Sequence, residues 1–88
     1  MILYARTIEV NNPTGLHTRP GTRFVKEARR FSATVSVSKG EKTADAKNLI
    51  KVLKIGISKG DVIEIQADGS DETEAVDGLC AFISALED

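Results

Sequence analysis

Two hydrophobic periods take turns along this chain, and few folds can absorb that alternation. Residues 2–10 hold Tyr4, Ile8 and Val10 on one parity with Thr7 and Glu9 on the other, the period-2 signature of a half-buried strand. Asn11-Asn12-Pro13-Thr14-Gly15 ends it. From Thr18 to about Arg30 the period lengthens: Phe24, Val25, Ala28 and Phe31 recur at helical spacing, and Pro20 sits in the first turn, where a missing N–H is tolerated. Ala33 to Ser38 alternates again, and Lys39-Gly40 turns the chain into a shorter, polar strand near Lys42 to Ala44. Asn48 is a natural N-cap and Gly56 a natural C′ residue for a short helix, Leu49 to Ile55. Gly60-Asp61 opens a strand in which Ile63, Ile65 and Ala67 share one face, and Asp68-Gly69-Ser70 closes it. Val76, Leu79, Cys80, Ile83 and Leu86 then form the stripe of the longest helix, with Asp71 and Glu74 spaced as a capping-box-like start.

The order β-α-β-β-α-β-α predicts an α+β fold. An open-faced β-sandwich, with a four-stranded antiparallel sheet covered on one face by three helices, buries every stripe at once. At 88 residues the chain is expected to form a single domain, 1–88. A net charge of −1, from 12 basic and 13 acidic side chains, argues against nucleic acid as a partner. One Cys and one His cannot build a disulfide or a structural zinc site, so no metal is expected. No window resembles a membrane span or an export signal, which points to a soluble, cytoplasmic protein without membrane insertion. Unrelated metal carriers, RNA-binding modules and allosteric domains share this plan, so function must come from a site.

The site is Gly15-Leu16-His17-Thr18-Arg19-Pro20, which sets the only histidine at a loop-to-helix junction two residues before an arginine. A helix start offers free N–H groups and partial positive charge, a ready seat for phosphoryl oxygens, and Arg19 adds a charge-assisted clamp. The same positive end disfavours imidazolium and keeps the ring available as a neutral nucleophile. Gly15 allows a backbone path that a Cβ would obstruct, and Pro20 stiffens the first turn. The competing reading makes His17 a loop residue satisfied by a local hydrogen bond and Arg19 a solvated charge.

The hexapeptide resembles the active-centre motif of the histidine-containing phosphocarrier protein (HPr) family of the bacterial phosphoenolpyruvate-dependent sugar phosphotransferase system. The likeness covers essentially the whole chain, including Ala46-Lys47 before the short helix and the turn bounded by Gly56 and Gly60. It implies a phosphoryl carrier rather than a stand-alone enzyme, with no cofactor. His17 would accept a phosphoryl group on Nδ1 from phosphorylated enzyme I and pass it to the IIA component of a sugar permease. By the same resemblance Arg19 assists transfer, Thr18 lies where N–H groups meet the phosphate, and Thr14 is placed to hydrogen-bond the ring or the phosphoryl group. Two other purposes fit the residues: a regulatory phosphocarrier of the nitrogen-related branch, or an interaction module whose histidine is no longer phosphorylated.

Gram-positive relatives carry a kinase-phosphorylated serine at the start of the short helix, and this chain has Asn48 there, so no phosphorylation by that kinase is expected at residue 48. Leu49, Ile50, Val52, Leu53 and Ile55 are five apolar residues in seven, more than one inward stripe hides. The family resemblance makes Leu49, Ile50 and Leu53 partner contacts. Arg19, Arg23, Lys26, Arg29 and Arg30 face only Glu27 on the first helix, and Lys47, Lys51 and Lys54 follow, a patch that steers acidic partners, with Arg23 and Lys26 as contact residues. Residues 71–88 hold six acids and no base, and Glu87 and Asp88 are expected to end the last helix and reach Arg19. Cys80 and the aromatic residues are expected in the core, and a carrier docking two partners through one face is expected to be a monomer.

Overall fold

The computed structural model describes residues 3–88. Seven elements follow in the expected order: β1 (Tyr4–Glu9), α1 (Thr18–Ala28), β2 (Thr34–Lys39), β3 (Lys42–Asp45), α2 (Leu49–Ile55), β4 (Val62–Asp68) and α3 (Glu72–Ala85). The strands form one antiparallel sheet in the order β1-β4-β2-β3, which puts β4 in the interior beside the first strand of the chain. Registers Ile8↔Ile63, Val35↔Ala67, Val37↔Ile65 and Val37↔Ala44 align the apolar parity of neighbouring strands, because directly opposed residues share a face. Phe24 and Val25 of α1, Val52 and Ile55 of α2, and Val76, Leu79, Cys80 and Ile83 of α3 are buried with that sheet face in one core. Fully burying a side chain such as Phe24 or Ile65 contributes about 1.5–3 kcal/mol, which makes these positions the main support of the fold. The opposite sheet face carries Thr7, Glu9, Thr34, Ser36, Thr43, Glu64 and Gln66, apart from the exposed Val62.

Several boundaries differ from the sequence reading. Ile2, the first residue of the expected strand, lies outside the described residues, and β1 is Tyr4–Glu9. Helix α1 stops at Ala28, and the Arg30 and Phe31 amides bond the Glu27 and Ala28 carbonyls in a tightened final turn. The capping box at α3 does not form. Asp71 turns its carboxylate to β2's approach, accepting the Ser32 N–H at 2.9 Å and the Ala33 N–H at 2.8 Å, and Glu72 accepts the Gly69 N–H at 3.0 Å instead. A tertiary pair of donors thus outcompetes the local cap. Helix α3 ends at Ala85 and Leu86 is extended, so Glu87 and Asp88 lie beyond the helix rather than within its last turn. Phe24 is fully buried, but Tyr4, Phe31 and Phe82 are only partly so; the Tyr4 hydroxyl donates to Asp77 at 3.0 Å, beside the Arg6–Asp77 ion pair at 2.9 Å.

Candidate functional site

The residues before α1 are stitched to two distant segments. Gly15 adopts φ +61°, and a Cβ there would lie 2.4 Å from the Ile57 carbonyl oxygen, so only glycine allows this approach. The Leu16 N–H donates to the same oxygen at 3.1 Å, and the Thr14 N–H donates to the Asp88 backbone oxygen at 3.0 Å. Leu16 is buried beneath the loop, and His17 emerges beside it as the exposed N-cap of α1 with extended ψ of −174°.

N-cap side chains usually accept from the N2 or N3 amide. His17 makes no such bond, and its ring has no hydrogen-bond partner among the described residues, which removes the reading of a histidine satisfied by its loop. Pro20 carries no N–H at the third helical position. The Thr18 and Arg19 amides therefore point out of the helix start without an acceptor among the described residues, next to the open ring. Anion binding is the chemistry that this arrangement favours.

Arg19 is exposed, with Nε 3.9 Å from Asp88 Oδ2. Arg23 lies 3.3 Å from the other carboxylate oxygen, and its guanidinium rests 5.6 Å above the Phe82 ring. A groove of about 360 Å³ lined by Arg19, Arg23, Ala85, Glu87 and Asp88 adjoins the helix start. The acidic tail thus reaches Arg19 as expected, through Asp88. Thr14 is the exception among the expected phosphate neighbours: its hydroxyl is bound to the Asp88 backbone oxygen and does not meet the ring.

The expected contact surface is unevenly available. Ile50 is 62% exposed, whereas Leu49 and Leu53 are half-buried; Leu53 packs so closely on Gly21 that a Cβ there would come within 3.2 Å of its Cδ2. Of the cations, Arg29 donates to the Lys47 carbonyl, Lys47 to the Phe31 carbonyl, and Arg30 pairs with Glu27, so these tie α1 to α2 or to itself. Lys26, Lys51 and Lys54 are exposed and without ion pairs among the described residues. Asn48 caps α2, accepting the Lys51 N–H at 3.2 Å. The sequence reading missed Asn12 and Ile57, which hold the loop. Asn12 looked like one more turn residue, and the Ile57 contribution is a backbone oxygen that no side-chain pattern reports.

The family model for the PTS HPr component phosphorylation site matches residues 4–85. The chain belongs to the PTS HPr family. The phosphocarrier protein HPr of Haemophilus influenzae is 44% identical over 85 residues, covering 97% of this chain and 100% of that one. The crystal structure of HPr-C-His from Thermoanaerobacter tengcongensis is 39% identical with a TM-score of 0.91, covering 93% of this chain and 92% of that chain. An HPr dimer structure from the same organism is 40% identical with a TM-score of 0.75, covering 89% of this chain and 90% of that chain. As an HPr-family chain it is a phosphoryl carrier of the phosphotransferase system, and its sheet and three helices are those of solved HPr structures. Among the described residues no helix is long and apolar enough to cross a membrane, and no group of His, Cys, Asp or Glu side chains is placed to hold a metal.

Proposed function

We propose that His17 is the phosphoryl acceptor of this carrier, with enzyme I as donor and the IIA component of a sugar permease as recipient. The observation that carries the reading is an exposed imidazole, without a hydrogen-bond partner among the described residues, at a helix start whose first two amides lack acceptors among those residues. In the forward step a neutral ring nitrogen, Nδ1 by family resemblance, attacks phosphorus. The N–P bond forms, the bond from phosphorus to the donor breaks, and the Thr18 and Arg19 amides receive the equatorial oxygens. The Arg19 guanidinium leaves Asp88 and adds a charge-assisted contact as negative charge arrives. Thr14, held by Asp88, joins only if that contact opens.

Residues 1–88 act as one carrier domain in this reading, a monomer that docks both partners through Ile50, the partly exposed Leu49 and Leu53, and the cations Arg23 and Lys26. Apolar Ile50 at 62% exposure, beside lysines without ion pairs among the described residues, supports an acidic partner with an apolar centre. A cytoplasmic location is part of the proposal, supported by membership of the PTS HPr family.

The test is incubation with phosphoenolpyruvate and enzyme I, followed by intact mass. A gain of about 80 Da, for one phosphoryl group, is expected, lost in acid and absent from His17→Ala. A gain that persists in His17→Ala removes His17 as the acceptor.

A further inference from the structure

Asn12 is one of two polar or charged side chains buried among the described residues, at 3% exposure, and it lies five positions before His17 in a loop with no other buried polar side chain. Its Nδ2 donates to the Gly15 carbonyl at 2.8 Å, and the Gly15 N–H returns to the Asn12 carbonyl at 3.2 Å. The carbonyl of Gly15 and the N–H of Leu16 belong to one peptide unit. That unit is therefore gripped from both sides, by Asn12 at its oxygen and by the Ile57 carbonyl at its N–H, 3.1 Å away. The other end of the Asn12 amide, Oδ1, is buried without a partner among the described residues. An orphaned buried oxygen lowers stability, and an apolar side chain would not incur that loss, so packing alone is a poor account of this residue.

We infer that Asn12 is the positioning residue of the acceptor loop, which sets the Gly15–Leu16 peptide plane and through it the direction in which His17 meets the phosphoryl group. The His17 ring has no hydrogen bond of its own among the described residues, so its aim depends on the backbone that carries it. Leu16, buried at 2% exposure, blocks adjustment by its own side chain, and only the torsions of Leu16 and His17 separate the gripped plane from the ring. Loss of the Asn12 donor frees the carbonyl end of the plane while leaving the α1–α2 docking surface untouched. The inference rests on His17 being the acceptor, and the effect belongs to the transfer step rather than to partner affinity.

The experiment measures single-turnover phosphorylation of Asn12→Ala and Asn12→Asp by phosphorylated enzyme I across donor concentrations, beside the unmodified chain and the core variant Ile63→Val. Alanine removes the donor, and aspartate keeps the shape without it. Both should lose transfer rate at saturating donor by roughly 10-fold or more, with half-saturation within about two-fold, as expected for misaimed rather than unbound reactants. Ile63→Val, which loosens the buried β4 position, should fall in melting temperature and keep its rate. Rates within about two-fold of the unmodified chain in a folded Asn12 variant overturn the inference, as does a rate loss in Ile63→Val that tracks melting temperature in the same way. If alanine does not fold, the aspartate variant and Asn12→Gln, which moves the donor by one methylene, carry the same comparison. Failure of the unmodified chain to be phosphorylated at His17 is a separate result, and it overturns the acceptor reading first.

Discussion

The Nε of Arg19 stands 3.9 Å from Oδ2 of Asp88, so the arginine proposed to meet a phosphoryl group is already turned toward a carboxylate. The pair is loose and its Arg19 side is 87% exposed, whereas the Asp88 backbone is held by the Thr14 amide and hydroxyl. The main chain fixes where the carboxylate sits, and the side-chain contact yields easily.

Asp88→Asn should therefore accelerate phosphoryl acceptance at His17. Exposed ion pairs contribute at most about 1 kcal/mol, which caps the gain at about five-fold, and added salt should shrink it. Rapid-quench phosphorylation at low and high ionic strength checks both points. A slower variant would mean that Asp88 assists transfer instead of competing for Arg19.

Gly15→Ala should destabilise the chain by at least about 2 kcal/mol, since the new Cβ meets the Ile57 carbonyl oxygen and the positive φ adds strain. In a domain of this size that corresponds to a fall of about 8–16 °C in melting temperature. Calorimetry showing a loss under 2–3 °C, by the same scaling of roughly 4–8 °C per kcal/mol, would mean the loop relaxes away from residue 57 at little cost.

Stability should drop on acidification in a way that Asp71 and Asp61 help to set. The Ser32 amide, then the Ala33 amide, hold the Asp71 carboxyl below its ordinary value, and the Lys39 ammonium, at 2.8 Å, and the Ser58 amide do so for Asp61. A carboxyl depressed in the folded state contributes stability above its unfolded value, near ~4, and loses that contribution as pH falls through its folded value. Melting temperature followed from neutral pH into that range should fall less steeply for Asp71→Asn than for the unmodified chain. Parallel acid limbs would show that Asp71 is not coupled to folding.

Ile50→Asp should keep its melting temperature, because the side chain is 62% exposed, with a stability change of about 0.5 kcal/mol or less. Its affinity for enzyme I should weaken by roughly 10-fold, the scale of one central apolar contact. Titration calorimetry with the two proteins measures this directly, and unchanged affinity would move the docking centre away from α2.

Phosphate should not enter residue 48. Asn48 spends its side-chain oxygen on the Lys51 amide and offers no hydroxyl. Incubation with ATP and a kinase specific for the serine of Gram-positive relatives, read by peptide mass, should leave the 48–55 segment unmodified, whereas Asn48→Ser restores an acceptor and keeps a capping group.

Periodicity carried most of the fold because every element uses one face for the core: Val35 and Val37, Ile63 and Ile65, and the Val76 to Ile83 stripe lie where alternation and helical spacing put them. The role of Asp71 was not legible since a capping pattern is local, and the amides of Ser32 and Ala33 reach it from 39 and 38 residues away. Within the candidate site, the helix start that sets His17 as N-cap and Thr18 as the first helical residue was legible from Pro20 and the apolar spacing after it. The partner that Thr14 has in this structure was not legible, because it is a backbone oxygen 74 positions along, and Asn12 stayed invisible because turn chemistry gives Asn11 and Asn12 the same prior.

Because β1 pairs with β4 and the loop before His17 hangs from Ile57 and Asp88, neither that strand nor that loop completes its geometry within the first third of the chain. During synthesis His17 leaves the ribosome long before the segments that frame it, and a chain paused before residue 57 would expose the imidazole on an unformed loop. The loop that frames His17 is therefore completed late, only after residue 57 and then residue 88 have joined it, and a chain that stops short of Asp88 lacks the backbone oxygen that holds Thr14.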